Sequence, residues 1–211
     1  MLADQTAVQF SQPGLYTKQI LNAVENIVGR EVLTLILIKA GLPYMMNNYP
    51  FDTMLTCISF DKFSSLMQSI EEQLGVKTGR KITYRAGKIA FPIILDRYGK
   101  MAGFSRNALA YTPLDRRLSI GLSALIEISN QIGDQSLSLA EDQDRYLIHA
   151  ERCATCWGRS HAAEPLCDLF VGFLEAGIYW LCDEVNFQVK ETACRAMGND
   201  ACVFSVSKRI F

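Results

Sequence analysis

The apolar positions of the first 133 residues repeat mostly with the period of an α-helix. Side chains such as Phe60, Phe63 and Met67 recur at intervals of three and four residues, which gives each segment one apolar face. Ser59 and Thr112 are suited to capping helix starts, and Pro92 is expected to kink or split the helix that contains it. The pattern predicts helices within residues 14–28, 59–74, 80–98 and 112–132.

Residues 32–38 are apolar on all sides. A helix without a polar face has to be buried, either inside the domain or against a second copy of the chain. The stretch 44–57 that follows is rich in aromatic residues and methionine. It is interpreted as a packed connector, with a mobile lid over an apolar ligand as the alternative, in which Met45 and Tyr49 would contact the ligand.

Residues 134–211 change to the two-residue period of β-strands. Apolar side chains alternate around Leu137 and Leu139, within 146–150, and again within 185–190 and 202–206. An apolar helix that begins near Pro165 separates the two pairs of strands. The sequence therefore predicts one α+β domain over residues 1–211, in which a mainly helical part, 1–133, packs against an antiparallel sheet from 134–211.

The helix that begins near Pro165 carries a large aromatic area. Phe170, Phe173 and Trp180 lie on it, and Tyr146 points inward from a strand. Core packing explains these side chains. The same side chains suit the wall of a pocket for a flat apolar ligand, so they are also candidate ligand-binding residues.

Composition and charge exclude several classes of protein. The 211 residues have a net charge of −1, and lysine and arginine are scattered along the chain. The sequence therefore does not predict the positively charged patch that binds nucleic acid. Nearly half of the residues are apolar, yet no segment reaches the ~20 apolar residues of a membrane span, and the first residues lack a signal-peptide pattern. Seven cysteines, an odd number, fit a reducing compartment, so a cytoplasmic location is expected.

Candidate metal ligands concentrate near the carboxyl end. By strand parity, Glu191 and Cys202 both face the apolar side of a hairpin, and an ionised carboxylate buried alone is very costly. Cys194 at the top of the hairpin and Cys167 at the start of the preceding helix complete a set suited to a closed tetrahedral zinc site. Free cysteines are often buried without any metal, and that alternative stays open.

A second thiol pair, Cys153 and Cys156, has the Cys-x2-Cys spacing. Such a pair occurs in zinc knuckles and in redox proteins, but no second half of a knuckle follows at ordinary spacing. We interpret the pair as structural or accessory thiols. Ligands of an additional metal or of an iron–sulfur cluster are the alternative.

Two C-terminal runs carry a family resemblance, P-L-C-D-L-F-V-G-F-L-E-A-G and F-Q-V-K-E-T-A-C-R-A-M-G-N-D-A-C-V-F-S-V. They resemble the 4-vinyl reductase domain, found in a bacteriochlorophyll-synthesis protein and in the sensor domains of phenol-responsive activators. That family shares its fold with a vesicle-tethering subunit. In the phenol sensors a zinc ion is bound by Cys, Glu, Cys and Cys, which map here onto Cys167, Glu191, Cys194 and Cys202. The interval between the first two is one residue longer in this chain.

The resemblance implies a homodimer that binds a tetrapyrrole such as a chlorophyll precursor. It also implies partners in photosystem assembly or pigment synthesis, at the periphery of a photosynthetic membrane. The residues themselves show no glycine-rich nucleotide motif and no nucleophile elbow, and a metal enclosed by four protein ligands leaves no position for water. No catalytic residue is therefore assigned.

We expect a non-enzymatic binding protein for a small hydrophobic ligand, with a structural metal site. Two alternatives of other classes stay open. One is a subunit of a vinyl reductase in (bacterio)chlorophyll synthesis that receives electrons from a partner. The other is a pure protein-interaction module.

Overall fold

The computed structural model describes residues 9–101, 109 and 111–210, without the side chains of residues 97–101. The described residues form a helical layer and an antiparallel sheet, as the sequence predicts. The helices are α1 (Gly14–Val28), α2 (Arg30–Lys39), α3 (Phe60–Leu74), α4 (Val76–Met101), α5 (Leu114–Ile132) and α6 (Asp168–Leu181). The strands are β1 (Ser11–Pro13), β2 (Thr56–Ser59), β3 (Ser136–Glu141), β4 (Arg145–Arg152), β5 (Phe187–Ala193) and β6 (Cys202–Ile210).

The main sheet has the antiparallel order β3-β4-β6-β5, so the two hairpins predicted from the sequence meet along β4 and β6. Ala150 of β4 lies opposite Cys202 of β6, and Tyr146 lies opposite Val206. These side chains all face the helical layer and are buried. The α+β prediction is confirmed. A small second sheet pairs β1 with β2, and the sequence pattern did not reveal β2 because four residues are too few to establish a period.

Helices α4 and α6 cross at very short range. An added Cβ at Gly87 would lie 2.1 Å from the carbonyl oxygen of Leu169, and one at Gly172 would lie 2.0 Å from that of Tyr84. Both neighbours are backbone atoms, which cannot move without shifting a helix. Two glycines therefore set the distance between α4 and α6, and so the position of α6 over the sheet.

The structure bears on three local expectations from the sequence. Helix α4 continues through Pro92 and is not split; the proline lies on the exposed side of the helix, where the carbonyl that loses its partner can bond to water. Thr112 does not cap α5, whose N-cap position is Pro113, without a side-chain bond. Ser59 does cap α3, since its Oγ accepts a hydrogen bond from the backbone N–H of Lys62 at 3.4 Å.

The segment 32–38 is only partly buried. Leu33, Ile36 and Leu37 lie in the core, but Leu35 and Ile38 are half exposed, with 52% and 53% of their surface accessible. The expectation of burial on all sides within the domain is therefore wrong: only one face of α2 packs against its neighbours. Burial of the other face against a second copy stays a prediction.

Within residues 9–101, 109 and 111–210, no helix combines the length and the apolar character that crossing a membrane requires. The single-domain organisation over residues 1–211 stays a prediction, because the described residues do not include the whole chain.

Candidate metal centre

Five buried cysteines converge where the main sheet meets the start of α6. Chain direction explains their approach: β4 ends at Arg152, and the loop that leaves it carries Cys153 and Cys156. Cys167 immediately precedes α6, Cys194 follows β5, and Cys202 opens β6. Because β4 and β6 are neighbours, the loop after β4 reaches the thiol of Cys202.

The distances between the thiols are short and uniform. Sγ of Cys167 lies 3.6 Å from that of Cys153, 4.0 Å from that of Cys194 and 3.8 Å from that of Cys202. Sγ of Cys202 lies 3.9 Å from that of Cys194 and 3.4 Å from that of Cys156. Metal–sulfur bonds of about 2.3 Å in tetrahedral geometry separate two sulfurs by about 3.8 Å. These separations are therefore those of sulfurs that share a metal ion.

Glu191 points into the same cluster, as its strand parity predicts. One carboxylate oxygen, Oε2, accepts a hydrogen bond from the backbone N–H of Cys167 at 2.7 Å. The other, Oε1, is buried and has no hydrogen-bond partner. Burial, helped by the charge of Cys194, raises the pKa of Glu191 to about 9. A carboxyl group in this position is either protonated or bound to a cation.

The thiols of the cluster differ in the direction of their pKa shifts. Hydrogen bonds from neighbouring thiols, first from Cys156, hold the pKa of Cys194 well below its ordinary value. Burial raises the pKa of Cys167, and the neighbouring thiols, first Cys153, raise that of Cys202. Hydrogen bonds, first from Cys156, also hold the pKa of Cys153 well below its ordinary value. Some of the thiols are thus stabilised as thiolates while others keep their protons, because several negative charges this close together require a compensating cation.

Two sets of four ligand atoms satisfy the spacing of a single metal site. In each set all ligand atoms lie within 4.8 Å of one another. The first set is the one predicted from the sequence, Cys167, Glu191, Cys194 and Cys202. The second set combines Cys153 and Cys156 with Cys167 and Cys202. The interpretation of the Cys-x2-Cys pair as accessory thiols missed this second set, because its other half is far away in the sequence.

The loop that carries Cys153 and Cys156 is firmly packed. Trp157 makes edge contacts with the rings of Phe10 and Phe60 at 5.3 Å and 5.9 Å. Arg159 donates two hydrogen bonds, at 2.9 Å and 2.7 Å, to the carboxylate of Glu71 on α3. Both partners of this ion pair are largely buried. The pair therefore fixes the loop, and with it the two thiols, against the helical layer.

Replacing Glu71 by Gln lowers the free energy of unfolding by about 2 kcal/mol, because the buried guanidinium of Arg159 loses its counter-charge but keeps one acceptor. Urea unfolding measures the change. Glu72→Gln on the same helix is the matched control: Glu72 is exposed, and its pair with Lys39 is worth about 0.5 kcal/mol or less. Equal losses in the two variants would contradict the structural role of the buried pair.

A cavity of about 50 Å³ lies between α1, α4, α5 and α6. Its described lining is apolar except for Ser129, whose hydroxyl donates to the carbonyl of Leu125 within α5. The aromatic part of the wall comes from Tyr16, Phe91 and Phe173. A neighbouring gap of about 20 Å³ shares Tyr16 and Phe173 with it.

The six ligand-binding candidates do not form one group. Phe173 lines both cavities and Phe170 lines the smaller one. The other four candidates line neither of these two cavities. Tyr146 is buried on the sheet, Trp180 is half-buried on α6, Met45 is buried in the core, and Tyr49 donates a hydrogen bond from its hydroxyl to Glu25 at 2.7 Å. The sequence pattern missed Phe91, Leu125 and Leu181, which do line the larger cavity.

The two histidines of the chain lie away from these cavities. His149 is on β4 between the buried residues Ile148 and Ala150, so it faces the opposite side of the sheet. His161 is exposed in a loop. The described lining of the larger cavity offers neither histidine nor cysteine, two of the side chains that hold haem iron. Haem is an iron-containing tetrapyrrole, and the described lining residues and the volume of about 50 Å³ do not fit it.

Comparisons with known proteins identify the fold and no family. No protein-family model matches the chain. A stretch of 134 residues is 28% identical to the DNA-directed RNA polymerase subunit beta of Onion yellows phytoplasma (strain OY-M), which covers 56% of this chain and 10% of that subunit. The chain therefore spans about a tenth of the length of this curated relative, and the match assigns no function to it.

Solved structures with the same fold are consistently H-NOX domains. An H-NOX protein from S. oneidensis in the Fe(II)NO ligation state gives a TM-score of 0.60 at 13% identity, over 95% of this chain and 99% of that chain. An oxygen-binding H-NOX domain related to soluble guanylate cyclases gives 0.56 at 14% identity, over 94% and 96%. At such low identity the similarity shows a shared fold.

These findings correct the resemblance to the 4-vinyl reductase domain. The structural neighbours are H-NOX domains and no family model matches, so that family assignment is wrong. Four further expectations depended on that resemblance and lose their support with it: chlorophyll synthesis, photosystem assembly, the photosynthetic membrane, and zinc as the family's metal. The physical reason is that the motif describes a local hairpin with cysteine and glutamate ligands. Such a hairpin does not specify the rest of a fold.

Proposed function

We propose that this chain is a non-enzymatic binding domain, stapled by a thiolate-bound metal ion, that holds a small apolar molecule among its helices. One observation carries the proposal: the ligand atoms of Cys167, Glu191, Cys194 and Cys202 lie within 4.8 Å of one another in a buried cluster. These residues come from a loop, two strands and a helix start. An ion bound by all of them would tie α6 to the main sheet.

The electrostatics of the cluster support a cation. Oε1 of Glu191 is buried without a hydrogen-bond partner, and such an atom costs free energy unless a cation or a donor meets it. Sulfur ligands favour soft or borderline metal ions, and the mixture with one carboxylate suits tetrahedral coordination. Four protein ligands leave no open position, so the ion would stabilise the fold and would not activate water.

The cavity supports the second half of the proposal. A wall that is almost entirely apolar, and whose Ser129 hydroxyl already donates to the carbonyl of Leu125, disfavours water and favours a small apolar molecule. Its volume of about 50 Å³ is far below the ~300 Å³ at which pockets for drug-sized ligands begin. The prediction of a bound tetrapyrrole stays a prediction, and it would require the helices around the cavity to separate.

Helix α6 connects the two sites. Cys167, at its start, belongs to the metal cluster, while Phe173 and Leu181, further along, line the cavity. The helix has 14 residues, about 20 Å in length, and its axis is fixed by the close contact with α4. A metal-dependent shift of α6 would therefore change the shape of the cavity.

Elemental analysis of protein purified under reducing conditions tests the metal. We expect at least one equivalent of a thiophilic metal per chain, lost when Cys194 is replaced by Ser. Cys57, which is exposed and outside the cluster, provides the matched control: Cys57→Ser keeps the metal. Metal-free protein with native thermal stability would contradict the proposal.

Xenon tests the cavity. Under xenon pressure we expect NMR shifts for the methyl groups of Leu125 and Leu181, and at least a several-fold weaker response in Gly121→Ala, whose added methyl group meets Leu181. Ser123→Ala, on the exposed side of the same helix, is the control and keeps the response. Titration with haemin in parallel tests the tetrapyrrole: a shifted Soret band with saturable binding would replace the small ligand by a tetrapyrrole.

Self-association stays a prediction that the exposed face of α2 favours. Leu35 and Ile38 together present apolar surface, since 52% and 53% of their surface is accessible. Replacing both by Lys is expected to shift a dimer to a monomer in light scattering, with the fold unchanged in circular dichroism. A wild-type monomer at every concentration would contradict the prediction.

A further inference from the structure

The two four-ligand sets of the cluster share two members. Cys167 and Cys202 belong to both sets, whereas Cys153 and Cys156 belong to one, and Glu191 and Cys194 to the other. Two tetrahedra that share two corners have a common edge. In metal–thiolate chemistry such an edge consists of two sulfurs, each bonded to both ions.

We propose that the cluster binds two metal ions bridged by the sulfurs of Cys167 and Cys202. One ion is bound in addition by Cys153 and Cys156, the other by Glu191 and Cys194. This inference rests on the proposed metal-stapled function and deepens it, because it assigns a second ion and a role to the Cys-x2-Cys pair.

The distances fit a shared edge. The proposed bridge, from Sγ of Cys167 to Sγ of Cys202, is 3.8 Å long. On one side, Cys153 lies 3.6 Å from Cys167, and Cys156 lies 3.4 Å from Cys202. On the other side, Cys194 lies 4.0 Å and 3.9 Å from the two bridging sulfurs. All five separations are close to the edge of about 3.8 Å in a tetrahedral thiolate site.

A single ion leaves part of the cluster unexplained. With four ligands it would use either Cys153 and Cys156 or Glu191 and Cys194, and the remaining pair would lie beside it without a cation. For the first choice, the orphaned Oε1 of Glu191 would stay without a partner. Two ions satisfy all six ligands.

The surroundings provide the hydrogen bonds that thiolate clusters require. The backbone N–H of Arg195 donates to Sγ of Cys202 at 3.4 Å, and backbone N–H groups of Thr155 and Leu166 donate to the sulfurs of Cys153 and Cys194. The guanidinium of Arg159 adds positive charge near Cys156 and Cys167. Donors of this kind orient ligands and stabilise their negative charge.

The same distances disfavour an iron–sulfur cluster. In such a cluster inorganic sulfides bridge the irons, and the protein thiolates lie on the outside, further from one another. Sulfurs of Cys167 and Cys202 at 3.8 Å, each with further thiols at similar range, occupy the space that inorganic sulfide would need. Bridging thiolates require no additional atoms.

Titration of the reduced, metal-free full-length chain with Co²⁺ tests the proposal. We expect the sulfur-to-cobalt absorption to rise until two equivalents are bound. With the second equivalent the magnetic moment per ion falls, because bridging sulfurs couple the two spins. Native mass spectrometry gives the stoichiometry independently. Cys153→Ser combined with Cys156→Ser is expected to leave one equivalent, as is Glu191→Gln combined with Cys194→Ser. Cys57→Ser keeps two.

Outcomes separate this inference from the proposed function. Saturation of the wild-type chain at one equivalent, two uncoupled ions, or acid-labile sulfide in the purified protein overturns the binuclear site while a metal staple remains. Failure to bind any Co²⁺ overturns both. If the variants do not fold, the stoichiometry and the spin coupling of the wild-type chain still decide.

Discussion

Removing the proposed metal ion from the reduced protein is expected to lower its thermal unfolding midpoint by more than about 10 °C, which for a chain of this size corresponds to about 4 kcal/mol or more. The reason is that the ion is expected to bind only the folded cluster, so its binding free energy adds to the free energy of unfolding. Without it, the buried Oε1 of Glu191 and the buried thiols of Cys167, Cys194 and Cys202 have no cation.

Differential scanning calorimetry with and without a strong chelator, in the presence of a thiol reductant, measures this effect. Cys57→Ser is expected to respond as the wild type does, because Cys57 lies outside the cluster. Cys194→Ser should start near the stability of the chelated protein and respond little to the chelator. An unchanged midpoint, with loss of the metal verified by elemental analysis, would contradict the proposal that a metal ion stabilises the fold.

Replacing Gly172 by Ala lowers the free energy of unfolding by at least about 3 kcal/mol. The new Cβ would lie 2.0 Å from the carbonyl oxygen of Tyr84, so α4 and α6 have to move apart along their contact. Alanine is otherwise favoured over glycine within a helix by up to about 1 kcal/mol, so the sign of the effect is informative. Urea unfolding monitored by circular dichroism measures it.

Gly121→Ala is the matched control for this substitution. Its Cβ would also be close to a neighbour, 2.5 Å from Cδ1 of Leu181, but that atom is the end of a flexible side chain. We expect a change below about 1 kcal/mol of either sign. Gly87→Ala should behave as Gly172→Ala does, since its Cβ would meet the backbone of Leu169 at 2.1 Å. Similar small effects in all three variants would show that α4 and α6 are not fixed by backbone contact.

The cysteine cluster and the cavity differ in how far the sequence could predict them. Alternation along β5 and β6 was enough to turn Glu191 and Cys202 inward, because parity depends only on neighbouring residues. The larger cavity could not be predicted, since Phe91, Leu125 and Leu181 lie on three different helices. Their periodic patterns show which face of each helix is buried, but they do not show where two buried faces leave a gap.

The family resemblance failed for a related reason. The runs around Cys167 and Glu191–Cys202 describe ligand spacing in one hairpin and one helix start, and the fold agrees with H-NOX domains that share only 12–14% of residues with the chain. A short ligand motif determines the relative positions of only a few side chains. A fold is decided by the packing of all its helices and strands, which many unrelated sequences satisfy.

The sequence by itself determined the α+β architecture and the inward faces of the strands of the main sheet, since helix and strand periods are properties of adjacent residues. It also predicted Cys167, Glu191, Cys194 and Cys202 as candidate metal ligands. Only the tertiary structure brought Cys153 and Cys156 to the same cluster. Their approach depends on β4 lying beside β6 and on a loop held by Trp157 and Arg159. Strand order and loop packing depend on the free energy of contacts between residues that are far apart in the sequence. A local sequence pattern does not contain this information.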